Sequence, residues 1–439
     1  MARSERIPEI ALSAAWQKGQ TPERLRTTDG ETVQIIHRGT WTHGLGPDFA
    51  DALLLFGERE LRSGAVEMHL ETRNWAAHDH HLDPAYDAVI LHVVARHDGS
   101  LTRRADGRLV PVVEVSLPDI THLPMAMLDW DQVGGTVCAT RLAQSSPATL
   151  RQILFTLGDT RLSVRSAQLE AALLEMPPAE VLWRAILAGL GYSRNQAPMR
   201  QLGEKLPLAA LSEASRTRSS GKQFHLILGL LLGAAGFLPL SPGEAHLIKL
   251  DTDEVEQLES AWRALGAPWH TDHLSGSDWD RARMRPANHP LPRLHAAAAL
   301  AHNVADEGGL LLGMREVLRS DDPVAKLRDL TRMSRMPGIG ADRAIEILAS
   351  AVLPALFAIG SHSGDEELTE LAARQWEILP APTATSVTKR AMKQVCGEAP
   401  LRGIGARGAQ GLIHLDTALC LPRRCFDCPV AAAELAVNE

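Results

Sequence analysis

The residue types able to do chemistry in this 439-residue chain concentrate between Asp48 and His97. From Gly64 to Thr72 apolar and polar residues alternate strictly. Val66, Met68 and Leu70 fall on one face of a strand, and Glu67, His69 and Glu71 on the other. Two carboxylates and an imidazole on one face suit a divalent cation. Asp48 follows Gly46-Pro47 and precedes the apolar run from Ala52 to Phe56. If the two runs pair as neighbouring strands, Asp48 faces Glu67 and His69. An Asp at the start of one strand with Glu-x-His on the next is a layout for metal-dependent phosphodiester hydrolysis. Asp48 and Glu67 would hold Mg²⁺ or Mn²⁺, with His69 as a further ligand or a neutral base near pH 7.

The histidines reinforce this reading. Six of the 18 lie between residues 69 and 97: His69, His78, His80, His81, His92 and His97, with Asp79 and Asp83 interleaved. A tract of this composition points to metal binding. One or two of His78, His80 and His81 are expected to face the site, and His78 and His81 join the candidate ligands. His92 sits in the apolar run Val89 to Val94 and reads as a hydrogen-bonded core histidine.

The elements that must position these groups follow from periodicity. Residues 7–19 read as a short helix, with Pro8 at its start, Gly19 past its end and Glu9 within reach of the site. Strands are expected at 32–37, 50–56, 64–72, 88–95 and 109–116. From Ser146 onward the apolar spacing becomes three and four, the mark of amphipathic helices. The expected class is α+β. An N-terminal mixed sheet with a flanking helix precedes a mostly helical region and a small cysteine-rich C-terminal segment. The expected divisions are 1–124, 125–330 and 331–439.

Pro47-Asp48 with Glu67-Met68-His69 resembles the motif of the PD-(D/E)XK nuclease superfamily. The resemblance implies a nuclease-like N-terminal module in which Asp and Glu hold the metal and a Lys two residues later helps to activate water. His69 stands where that Lys belongs. The order GPDF, G-x-VE-x-H, then W-x-x-H-x-H-H-x-D-x-x-Y-D-x-VILHVV also resembles a bacterial family catalogued as a domain of unknown function. That resemblance continues through LILGLLLGAAGFL, ARMRPANHPLPRLHAAAAL and the closing C-x4-C-x2-C. It implies nothing about activity.

Apolar residues make up 45% of the chain and charged residues 22%, as in ordinary soluble proteins. The net charge of −8 excludes a global basic field, so contact with DNA or RNA must come from local patches. The first twenty residues lack the apolar core and cleavage site of a signal peptide, and the run from Leu226 to Leu240 is short for a membrane span. A cytoplasmic location and no membrane partner are therefore expected.

Two stretches point to phosphate. Residues 278–295 place Arg281, Arg283, Arg285 and Arg293 around prolines, where they either grip phosphates or pair with this chain's own acids. Residues 332–348 resemble a helix–hairpin–helix, which implies phosphate binding at the turn formed by Gly338 and Gly340, with Arg332, Arg335 and Arg343 nearby. At the C-terminus, Cys420, Cys425 and Cys428 are spaced to let three thiolates converge on a 4Fe–4S cluster or zinc. Cys396 leads as fourth ligand, ahead of His414 and Cys138. This end resembles the cluster of iron–sulfur base-excision glycosylases, though the spacing differs. The reading is thus a metal-dependent nuclease. The alternatives are a non-catalytic nucleic-acid-binding or scaffold protein with a degenerate nuclease fold, and a hydrolase of a small phosphorylated substrate.

Overall fold

Alternation of period two governs the chain up to residue 115, and helical spacing governs it from residue 146. The computed structural model describes residues 9–17, 19–42, 46–57, 59–115, 138, 146–216, 220–269, 272–281, 286–397, 399–421, 424 and 428–432. Contacts divide it into two units. One comprises Met1–Leu150, Lys389–Pro400 and Leu415–Glu439, the other Arg151–Thr388 and Leu401–His414. The texture boundary at 330 falls inside the second unit.

The first unit is built on a mixed sheet. Its strands are β1 (Arg24–Arg26), β2 (Thr32–His37), β3 (Thr40–Trp41), β4 (Phe49–Phe56), β5 (Glu60–Glu71), β6 (Val89–Arg96) and β7 (Val112–Glu114). They run in the order β1-β2-β4-β5-β6-β7, with β3 paired to β4. Pairing is antiparallel from β1 to β5, whereas β6 and β7 run parallel to β5 and to each other. An antiparallel bridge between Thr27 and Val113 ties the first strand's end to the last, so the sheet curls nearly into a barrel. Helix α1 (Glu9–Gln17) packs on β5 and sends Leu12 and Trp16 into a core with Phe49, Leu54, Val66, Met68, Leu91 and Val93.

The strand β5 departs from expectation in one respect. Alternation predicts one buried face and one wet face, yet Ala65 through His69 are buried consecutively. The cause is the crossover that a parallel β5–β6 pair requires. This crossover carries the short helix α2 (Asn74–Ala77) and a 3₁₀ turn, Pro84–Tyr86, and folds back over the second face. Trp75 packs there with Ala65, Val89 and Val110, and Tyr86 lies against them. Glu67 and His69 therefore point into protein.

The second unit is helical, with one large core that includes the helices Ser220–Ala234 and Pro290–Asp306. The apolar run near residue 230 is thus a buried core helix. The stretch Ala341–Ser363 has the length and composition of a membrane span, but 78% of its most apolar window is buried within the fold.

Gly64 sets how closely β5 approaches β6. A Cβ there would stand 2.6 Å from the Ala88 carbonyl oxygen and 2.5 Å from Ile90 Cγ2. Gly64→Ala is expected to cost about 1–3 kcal/mol, the usual toll of overpacking. It should also push apart the two strands that carry His69 and His92. Thermal unfolding checks the first effect, and the His69–His92 contact seen by NMR the second.

Candidate metal centre

The site begins with a reciprocal pair of hydrogen bonds between β4 and β5. The Asp48 backbone N–H donates to Glu67 Oε2 at 2.8 Å, and the Met68 N–H donates to Asp48 Oδ2 at 3.0 Å. These bonds fix both carboxylates. They leave Glu67 Oε1 facing His80 Nε2 at 3.3 Å and His69 Nε2 at 3.7 Å. From α1, Glu9 brings Oε1 to 3.9 Å from His69 Nε2.

The crossover supplies the other imidazoles. His78 caps α2, Asp79 turns the chain with a φ of 60°, and the His80 N–H returns to the Trp75 carbonyl at 3.1 Å. Aspartate tolerates this left-handed conformation better than most residues. The turn aims His78 and His80 at His69, and the donor atoms of the three lie within 4.8 Å of one another. Tyr86 stacks on His80 with ring centroids 3.8 Å apart, and Trp75 stands edge-on to it at 5.4 Å. His69 Nδ1 meets His92 Nε2 at 2.9 Å, and His69 Nε2 meets His78 Nδ1 at 3.2 Å.

Burial and crowding of like charge dominate the electrostatics. Burial, then the charges of Asp48 and Glu67, push the Glu9 carboxyl up to about 8, against one bond from the Leu70 N–H. Burial raises Glu67 to about 8, although the Asp48 N–H lowers it. Asp48 moves well above the usual carboxylate range through burial and then Glu67. The imidazoles move the other way. Burial, then His92, His80 and His78, bring His69 down to about 2, and burial chiefly brings His92 to about 3. Three acids that resist ionisation beside neutral imidazoles form an environment that a bound cation relieves. Glu9 Oε1 fits that purpose. It is buried and accepts no hydrogen bond, although the side chain as a whole is 37% exposed. Imidazole and carboxylate donors together suit Mn²⁺ or Zn²⁺ better than Mg²⁺, which prefers oxygen alone.

The remaining nominated residues distribute unevenly. His80 joins the imidazole group where the sequence favoured His81, whose Nδ1 is buried without a hydrogen-bond partner outside that group. His92 is a buried, bonded histidine as expected, but its partner is His69 itself. Arg283, Arg285 and Cys425 lie outside the described residues. Arg281 pairs with Glu244, and Arg293 is buried against Asn288. At the hairpin, Gly338 has a φ of 75°, and Gly340 opens the following helix without a side-chain cap. Arg332 pairs with Asp329, Arg335 with Asp251 and Glu254, and Arg343 with Glu346. The arginines around this turn are thus matched by acids. Among the described residues, Cys138, Cys396, Cys420 and Cys428 take part in no disulfide, and the Gln394 amide donates to Cys138 Sγ at 3.4 Å. Among the described residues, three or more metal-ligating side chains converge only at His69, His78 and His80.

Residues 9–319 match the family described as "Protein of unknown function (DUF2851)". The chain belongs to this family. No curated protein and no solved structure matches it. The family match begins at Glu9 and includes every residue of the centre, whereas Cys396, Cys420 and Cys428 lie beyond it. Among the described residues of the DUF2851 span, His69, His78 and His80 are the group whose ligand atoms converge closely enough to hold a metal ion.

The shifts dictate a pH response. Glu9 and Glu67 hold their protons more tightly in the fold than at their ordinary 4.5, so cation-free protein should lose stability as the pH rises from about 4.5 to about 8. His69 and His92 are held neutral, so their contribution is present above 6.5 and is lost as the pH falls below it. A cation displaces the carboxyl protons, and its apparent affinity should rise about tenfold per pH unit for each proton released. At a hundred times Kd, Mn²⁺ should add about 2.7 kcal/mol, read as a rise in Tm of several degrees. At a fixed Mn²⁺ concentration the rise should be larger at pH 8 than at pH 6, because the affinity is higher there. Glu67→Gln should abolish it while stabilising the cation-free protein at pH 8. Melting curves from pH 5 to 9, with and without Mn²⁺, check both statements.

Proposed function

We propose that this protein is a metal-dependent phosphodiesterase acting on nucleic acid, with its centre at Asp48, Glu67, His69, His78 and His80. One observation carries the reading. Asp48, just after Pro47 and one residue before β4, is locked by reciprocal hydrogen bonds to Glu67 and Met68 on the antiparallel neighbour β5, which also carries His69, beside two further imidazoles. A divalent cation held there supplies Lewis-acid polarisation of a phosphoryl oxygen. Asp48 and Glu67 provide charge, and His69, His78 and His80 provide lone pairs. His69 is a poor base, since burial holds it neutral down to about 2, so its role is that of a ligand. Glu9 Oε1, with no donor of its own, is the acceptor placed to take a proton from the attacking water. Trp75 and Tyr86 cover the His80 ring, whereas His78 stays exposed. The C-terminal thiols Cys396, Cys420, Cys425 and Cys428 enter the same proposal as the holders of a 4Fe–4S cluster or zinc.

The second reading is a non-catalytic nucleic-acid-binding scaffold. It is favoured by the imidazole at residue 69, where the nuclease motif has lysine, and by the acid-paired arginines of the hairpin.

Cleavage of single- and double-stranded DNA and RNA with Mg²⁺ and with Mn²⁺ separates the two. The proposal expects cleavage, faster with Mn²⁺, and a loss of about 10²–10⁴-fold in Asp48→Ala and Glu67→Ala, as when several kcal/mol of charge stabilisation is removed. Glu9→Gln should lower the rate by more than any loss of metal affinity accounts for, and His69→Lys should retain part of the activity. Protein that binds nucleic acid in a salt-sensitive manner yet cleaves nothing under any of these conditions would be the scaffold.

A further inference from the structure

The proposed reaction leaves one buried chain of polar groups unused. His69 Nδ1 lies 2.9 Å from His92 Nε2, and His92 Nδ1 lies 2.7 Å from Thr102 Oγ1. The three residues are 1%, 0% and 1% exposed, so water does not substitute for these partners. Parallel pairing of β5 with β6 places them together, with Glu67 opposite His92 and Met68 opposite Val93.

We infer that His92, anchored by Thr102, is a positioning residue that decides which ring nitrogen of His69 is offered to the cation, an inference that rests on reading the centre as a metal site. A neutral imidazole carries one N–H, so the chain has two proton orders. In one, Thr102 donates to His92, His92 Nε2 donates to His69 Nδ1, and His69 Nε2–H donates to His78 Nδ1 at 3.2 Å. That order leaves His69 Nε2 without a lone pair. In the other, His69 Nδ1–H donates to His92 Nε2, and His92 Nδ1–H donates to Thr102. His69 Nε2 then presents its lone pair to the space it shares with Glu67 Oε1 and Glu9 Oε1. His69 and His92 hold two hydrogens in either order, so the change needs no net proton. Only the second order makes His69 a ligand. Such an outer partner fixes both the tautomer and the plane of a ligating imidazole, and the His92 ring stands at 88° to that of His69.

The test is calorimetric titration of metal-free full-length protein with Zn²⁺, with circular dichroism and Tm as controls for folding. His92→Leu should weaken Zn²⁺ binding by about 10–100-fold, the usual effect of losing an outer-shell partner. His92→Gln, whose amide oxygen can accept from His69 Nδ1–H, should recover most of that loss. Thr102→Val should weaken binding by a smaller factor with His92 in place. In ¹⁵N spectra of the Zn²⁺-loaded protein, His69 should carry its hydrogen on Nδ1. A folded His92→Leu protein that binds Zn²⁺ like the wild type overturns the inference and leaves the metal site standing. So does an Nε2–H tautomer at His69 in the loaded protein. If His92→Leu does not fold, Thr102→Val decides, and unchanged affinity there overturns the inference. Wild-type protein that takes up neither Zn²⁺ nor Mn²⁺ overturns the metal-site reading and this inference with it.

Discussion

The Asp48 backbone donates to Glu67 and the Met68 backbone donates to Asp48, and the rest of the centre depends on that exchange. Glu67 is buried and Asp48 half-buried, and polar groups withdrawn from water need fixed partners. By satisfying one oxygen of each acid from the neighbouring strand, the exchange holds the two acids side by side despite their repulsion. It also turns Glu67 Oε1 toward His80 and His69. The cost is borne by the sheet, whose core of Phe49, Leu54, Val66, Met68 and Leu91 lies directly behind.

Around that exchange the fold supplies three kinds of support. Helix α1 delivers Glu9, the crossover delivers His78 and His80, and β6 delivers His92 from the parallel side. Trp75 and Tyr86 are the apolar lid of this arrangement, in ring contact with His80. Displacing Tyr86 would release His80 without touching a ligand, so packing and ligation are one problem here.

Much of this was legible in the sequence. Period-two alternation placed Glu67 and His69 on one face, and the apolar run after Asp48 became the antiparallel neighbour of β5. Density of histidine marked the crossover. Two things were not legible. Alternation says which face a side chain takes but not what covers that face, so β5 read as half-wet although both faces are buried. Nor does composition give the direction of a turn. His80 and His81 are equivalent in a count of histidines, and the left-handed backbone of Asp79 separates them. His92 read as a hydrogen-bonded core histidine, but its partner, His69, lies across a strand pairing that no local pattern reveals.

The parallel pairing of β5 with β6 also bears on the order of assembly. The donors come from four separate stretches, at residue 9, residue 48, residues 67–69 and residues 78–80, and the outer partner from residue 92. Parallel strands cannot zip from a tight hairpin, because the whole crossover must close first, and such non-local contacts form late. A cation that meets the chain before that closure finds only donors that are close in sequence, such as Glu67-x-His69 or the His78-x-His80-His81 tract. Neither set alone holds Asp48, Glu67 and the three imidazoles together. The centre therefore exists only as a product of the completed sheet, and ions caught earlier must be surrendered or rearranged before the chain reaches its final form.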